Sequence, residues 1–138
     1  MIARLWLLIG VLASPLVQAD PLKFPAKMSI YGQECGSCHV PYPPSLLGRG
    51  EWQQITNQLD QHFGVNASLD EKTRQRIHDY LQHNSSPAPR AMAAKGQLPR
   101  ITQSPWYKRE HRNIGPNALK VLKANSMSSC QVCHGITE

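Results

Sequence analysis

The chain has 138 residues, 15 of them Lys or Arg and 9 Asp or Glu, for a formal charge of +6. That length accommodates one domain or two very small ones, and with 11 prolines and only 7% aromatic residues the protein alone would build a poor core. The positive charge comes without a phosphate-binding loop, a charge run or interleaved basic and aromatic residues, so it does not indicate nucleic acid.

In chain order, Met1 to Ala19 reads as a secretion leader. Arg4 supplies the positive start, Leu5 to Leu12 the apolar stretch and Val17-Gln18-Ala19 a small-residue cleavage site. The apolar stretch is short and is broken by Ser14-Pro15, so it is poorly suited to span a bilayer. Residues 1–19 are expected to be a signal peptide cleaved before Asp20. The mature protein is then periplasmic and not itself membrane-spanning. Asp20 to Glu34 contains Pro21 and Pro25 and has no sustained period, so an extended arm is expected there.

Cys35-Gly36-Ser37-Cys38-His39 follows. C-x-x-C-H is the attachment pattern of c-type haem. Two thiols one helical turn apart add across the two porphyrin vinyl groups, and the adjacent imidazole becomes the proximal iron ligand. The pattern recurs as Cys130-Gln131-Val132-Cys133-His134, and the two copies use all four cysteines. A four-cysteine zinc site or a C-x-x-C redox pair would leave a His directly after both second cysteines unexplained. The reading is two covalently bound haem c groups, each with its iron. They supply the apolar mass that a small scaffold lacks. They also correct the charge, because removal of Arg4 with the leader leaves +5 and four propionates bring it near +1.

Between the motifs, Val40-Pro41-Tyr42-Pro43-Pro44-Ser45-Leu46-Leu47 cannot be a regular helix and is expected to lay its apolar residues against the porphyrin edge. Glu51 to Phe63 is the clearest helix, with Trp52, Ile55, Leu59 and His62 on one face and Gly64 as its stop. A histidine continuing an apolar stripe is often a core residue. Beside a haem needing a second axial ligand, His62 is read as that ligand. Ser68-Leu69-Asp70-Glu71 reads as a capping box opening a helix to about His83, with Thr73, Ile77, Tyr80 and Leu81 inward and His78 and His83 solvated on its flanks. Asn84 to Arg100 looks like a linker, and Ile101-Thr102 a short extended piece. Ser104-Pro105 opens a helix to about Arg112, on which Tyr107 and His111 share a face. Gly115-Pro116 separates it from another helix, Asn117 to about Ala124. The fold expected is mostly α: a small two-haem c-type cytochrome with a signal peptide at 1–19, an N-terminal haem unit at 20–88, and a linker with a C-terminal haem unit at 89–138.

Several of these strings resemble the periplasmic dihaem cytochromes c first described in purple bacteria. They are Glu34 to His39, Tyr42-Pro43-Pro44 with Leu46-Leu47 and Trp52, His62-Phe63-Gly64 with Asn66 to Leu69, Arg100-Ile101-Thr102, Trp106-Tyr107, Glu110-His111 and the second haem motif. The resemblance implies an electron carrier with two bis-histidine haems and an N-terminal unit similar to a cytochrome c domain. It places His62 as distal ligand of the first haem and His111 as that of the second. It also implies redox partners, a membrane b-type cytochrome as donor and a small soluble oxygen-binding cytochrome (sphaeroides haem protein) as acceptor. Chain closure agrees on His111. Only four residues follow His134, so the second distal ligand must come from upstream, and His111 closes the shortest loop.

With imidazole on both sides of each iron, no position is open to substrate, and the haems can only exchange electrons. The opposing reading is a haem enzyme of peroxidase or nitrite-reducing type, which needs one open or labile iron site. A sensor would need an output domain, and none is evident. Met28 and Met127 sit too near the motifs to reach a far face; Met92 is far enough downstream to imitate a thioether ligand, but it sits in the linker, where most methionines merely pack. The carrier is expected to be a monomer and not an enzyme.

Overall fold

The structure is a computed structural model that describes residues 22–26, 29–91 and 93–135. The leader, Met28 and Met92 lie outside the described residues. Among the described residues there are helices and no strand: α1 (Ile30–Gly36), α2 (Arg49–Thr56), α3 (Glu71–Asn84), α4 (Pro105–Glu110), α5 (Pro116–Val121) and α6 (Cys130–His134). Short 3-10 turns intervene at Pro44–Leu46, Leu59–Gln61 and Ile101–Gln103. No helix of the described residues is long and apolar enough to cross a membrane.

The core lies where α1 and α2 pack on α3. Ile77 and Leu81, one helical turn apart on α3, meet Trp52 and Ile55 of α2, Tyr31 of α1 and Leu47. The inward face of α3 therefore follows the expected stripe, but its cap does not. The carboxylate of Asp70, not the Ser68 hydroxyl, accepts from the end of the first turn, the Thr73 N–H, at 3.0 Å. A carboxylate there also meets the positive end of the helix dipole.

The arm expected up to Glu34 is already helical from Ile30. Ser29 caps that helix by accepting the Gly32 N–H at 2.9 Å. The long helix expected over Glu51–Phe63 ends at Thr56. Gln58 leaves the helical region (φ −131°, ψ 40°), and the chain continues as the 3-10 turn Leu59–Gln61. Leu47 packs into the protein core rather than against a porphyrin edge, and Trp52 Nε1 donates to the Pro44 carbonyl at 2.7 Å, tying the proline loop to α2. Ile101-Thr102 is a 3-10 turn, not an extended piece.

Residues 85–100 carry no helix but are held closely. The Ser86 N–H donates to the Leu47 carbonyl, and Ala91 belongs to the core. Glu51, only 6% exposed, accepts from the backbone N–H groups of Gly48, Arg90 and Ala91. Gly48 permits this docking, since a Cβ there would meet the Ala88 carbonyl oxygen at 2.8 Å.

Candidate haem sites

The first motif leaves α1 at its C-terminus. Cys35 lies in the last turn, half-buried, while Cys38 and His39 follow in the exposed turn. Tyr31 sets the helix's orientation: its ring is 2% exposed, stands edge-on to Trp52, and its hydroxyl donates to the Tyr42 carbonyl at 2.8 Å. His39 Nδ1 lies 2.8 Å from the Val40 carbonyl oxygen. A carbonyl can only accept, so Nδ1 carries the hydrogen and Nε2 keeps the lone pair that a metal needs.

His62 ends the 3-10 turn after α2. The chain then reverses through left-handed Phe63 (φ +50°) and Gly64 (φ +99°), and the Val65 N–H returns to the His62 carbonyl. The Phe63 ring stands edge-on to His62 at 4.8 Å, with the Arg100 guanidinium 4.4 Å above Phe63. The His62 and His39 rings face each other, centroids 6.2 Å apart and planes 14° from parallel. Burial, and secondarily the His39 charge, lowers the His62 pKa, which favours the neutral imidazole. His62 Nδ1 is buried without a hydrogen-bond partner.

The second site is assembled from short pieces. Ser104 caps α4, accepting from the Tyr107 N–H, and Pro105 fills the first helical position, where its missing N–H costs nothing. His111 ends that helix. Its Nδ1 lies 3.0 Å from the Tyr107 carbonyl oxygen, which fixes the same tautomer as in His39. Its ring stacks on Tyr107, centroids 4.0 Å apart and planes 13° from parallel. From α6, His134 places its ring centroid 6.0 Å from that of His111, with planes 65° apart.

The structure thus brings His39 to His62 and His111 to His134. It places the other two histidines elsewhere. His78, expected to be solvated, is half-buried with Nδ1 2.9 Å from Thr56 Oγ1, and exposed His83 donates to the Asp79 carbonyl. Tyr107, expected beside the second haem, stacks on His111 and donates its hydroxyl to the Met127 carbonyl at 2.6 Å. Tyr42 was not singled out by the sequence. Its ring stacks on His39 at 5.1 Å, and its hydroxyl donates to the Ser128 carbonyl, a contact between residues 86 apart with no local signal. Burial above all raises both phenols, Tyr107 to about 12, so both remain protonated donors.

All four cysteines are free of disulfides. Burial, then Glu34 and Cys38, pushes the Cys35 thiol up to about 11, and burial likewise raises Cys130. Such pockets suit an uncharged sulfur, which is what a thioether is. Among the described residues no group of three or more His, Cys, Asp or Glu side chains is placed to hold a metal by itself. Two thiols and two neighbouring imidazoles at each site fit a c-type haem.

A family model described as dihaem cytochrome c matches residues 31–138. No curated protein matches. Among solved structures, the chain is similar to the diheme cytochrome c from Rhodobacter sphaeroides, at 38% identity and a TM-score of 0.66, covering 80% of this chain and 92% of that one. It is also similar to the diheme cytochrome type c from Shewanella baltica OS155, at 33% identity and a TM-score of 0.63, covering 83% and 89%. The family match, the shared helical fold and the paired motifs lead to one conclusion: the chain belongs to the dihaem cytochrome c family, whose function is electron transfer, and carries two covalently bound c-type haems.

Proposed function

We propose that this protein is a periplasmic electron carrier, not an enzyme, in which each iron is held between two histidines. Cys35 and Cys38 bind the first haem and Cys130 and Cys133 the second. His39 with His62, and His134 with His111, would supply the nitrogens that hold the irons. The observation that carries this reading is the spacing of the rings. A metal ion shared by two imidazoles, each bound at about 2 Å, would hold their ring centroids roughly 6–6.5 Å apart, against 6.2 and 6.0 Å here.

The haems supply reversible one-electron exchange. The chain's own residues keep that exchange free of other chemistry. The Val40 and Tyr107 carbonyls hold His39 and His111 in the tautomer that ligates. Phe63 and Tyr107 restrain the rings of His62 and His111, which would keep those rings on the irons and exclude substrate or peroxide. Paired imidazoles also give lower potentials than His/Met ligation. This suits a relay from a membrane b-type cytochrome to a soluble haem protein, the partners implied by resemblance to the family. The chain is read as two haem-centred units, residues 20–88 and 89–138, behind a cleaved leader.

Low-temperature electron paramagnetic resonance of the oxidised protein should show only low-spin iron, and the optical spectrum should lack a thioether charge-transfer band. His62→Ala and His111→Ala should each open one haem to carbon monoxide in the ferrous state and leave the other haem unaltered. If either variant stays fully six-coordinate with an unchanged spectrum, that histidine is not a ligand. Appreciable high-spin iron in the native protein at neutral pH would instead favour an enzyme.

A further inference from the structure

Two tyrosines make parallel use of one short piece of chain. Tyr107 stacks on His111 and donates to the Met127 carbonyl, while Tyr42 stacks on His39 and donates to the Ser128 carbonyl at 3.2 Å. Met127 and Ser128 lead directly into Cys130. Tyr107 therefore stays within the second site, whereas Tyr42 crosses from the first site to the second. Its backbone is held in turn, since the buried Tyr31 hydroxyl donates to the Tyr42 carbonyl at 2.8 Å.

We propose that Tyr42 is the positioning residue of the electron relay between the two haems, fixing the His39 ring and linking it to the chain that carries the second haem. Electron tunnelling decays steeply across empty gaps and much less through covalent bonds and hydrogen bonds. The link here consists of one ring contact, the tyrosine side chain, one hydrogen bond and the backbone from Ser128 to Cys130. One electron passes along it, so one iron goes from ferrous to ferric and the other from ferric to ferrous. No covalent bond forms or breaks, the phenol keeps its hydrogen, and Tyr42 itself is not oxidised. The inference rests on haem attachment at His39 and Cys130 and on neither distal ligand, so it can fail while the assignments of His62 and His111 stand.

The test uses the full two-haem protein, with wild type compared with Tyr42→Phe, Tyr42→Leu and Tyr107→Phe. Exchange-detected nuclear magnetic resonance at half reduction reads the rate at which the electron moves between the two haems. Tyr42→Phe keeps the ring on His39 and removes only the hydrogen bond. It should slow exchange several-fold while the electron paramagnetic resonance signal of the first haem stays as in wild type. Tyr42→Leu should slow exchange further and broaden that signal, because the His39 ring loses its stacking partner. Tyr107→Phe removes the other hydroxyl from the same loop but lies outside the link, so it should slow exchange less than Tyr42→Phe does. Wild-type exchange in both Tyr42 variants overturns the proposal. Equal slowing in Tyr42→Phe and Tyr107→Phe also overturns it, because a loosened loop then accounts for the effect.

Discussion

Around the first haem, α1, α2 and α3 bury Tyr31, Trp52, Ile55, Ile77 and Leu81 against one another. Around the second, α4, α5 and α6 have five or six residues each, and of their residues only Tyr107 is buried. Large apolar residues stay exposed there, Ile114, Val121, Leu122 and Val132 among them. Charge divides the same way. Residues 20–88 hold six Lys or Arg against seven Asp or Glu, and residues 89–138 hold eight against two. Helices this short are unstable alone, and unbalanced cations repel. The contrast teaches that the α1–α3 region has a core of its own side chains. The α4–α6 region is instead a set of caps, turns and tyrosine contacts.

The largest expected effect breaks the comparison outright. Replacing Cys130 and Cys133 by Ser should leave one haem per chain. Amides of residues 105–134 should lose their protection in hydrogen exchange, while those of α2 and α3 keep theirs. The matching pair at Cys35 and Cys38 should leave α2 and α3 largely helical by circular dichroism. A C-terminal unit that stays protected without its haem would contradict the contrast.

A smaller effect tests the independent core. Glu51→Ala leaves the N–H groups of Gly48, Arg90 and Ala91 without their acceptor, which should cost about 2–4 kcal/mol in denaturant unfolding of the first unit. The absorption and potential of the second haem should not move. Equal destabilisation of both units would mean that they unfold as one.

The smallest effect concerns the caps. Hydrogen bonds from Thr73 hold the Asp70 carboxyl below its usual value of 3.8. A depressed folded pKa contributes stability that is present above the unfolded value and is lost as pH falls through the folded one. The protection of α3 amides, relative to the intrinsic exchange rate at each pH, should therefore fall on acidification, and Asp70→Asn should remove that acid-side dependence. The α4 cap is the hydroxyl of Ser104, which does not titrate, so α4 should show no counterpart. An Asp70→Asn profile identical to wild type would remove the cap from the account.

Much of the haem chemistry could be read from the chain because it is local. The two C-x-x-C-H pentapeptides, the apolar stripe that ends in His62, the Ser104-Pro105 start of α4 and the i, i+4 pairing of Tyr107 with His111 all lie within a few residues. Backbone geometry alone puts such neighbours on one face. The expected helix through Phe63 was too long for a related reason. An apolar stripe reports which side chains face inward, and Leu59 and His62 keep that direction through a 3-10 turn.

Only the tertiary structure decided what depends on segments distant in sequence. The attachment of residues 86–91 to Glu51, the hydrogen bond between His78 and Thr56 and the placing of Arg100 over Phe63 leave no period or motif behind. The reach of Tyr42 across 86 residues to Ser128 is the extreme case. The sequence by itself determined two haems and offered the candidates for their cysteines, proximal histidines and distal histidines. Which rings face one another, at which angle, and through which side chain the two sites touch are consequences of packing, which is set by the whole chain at once.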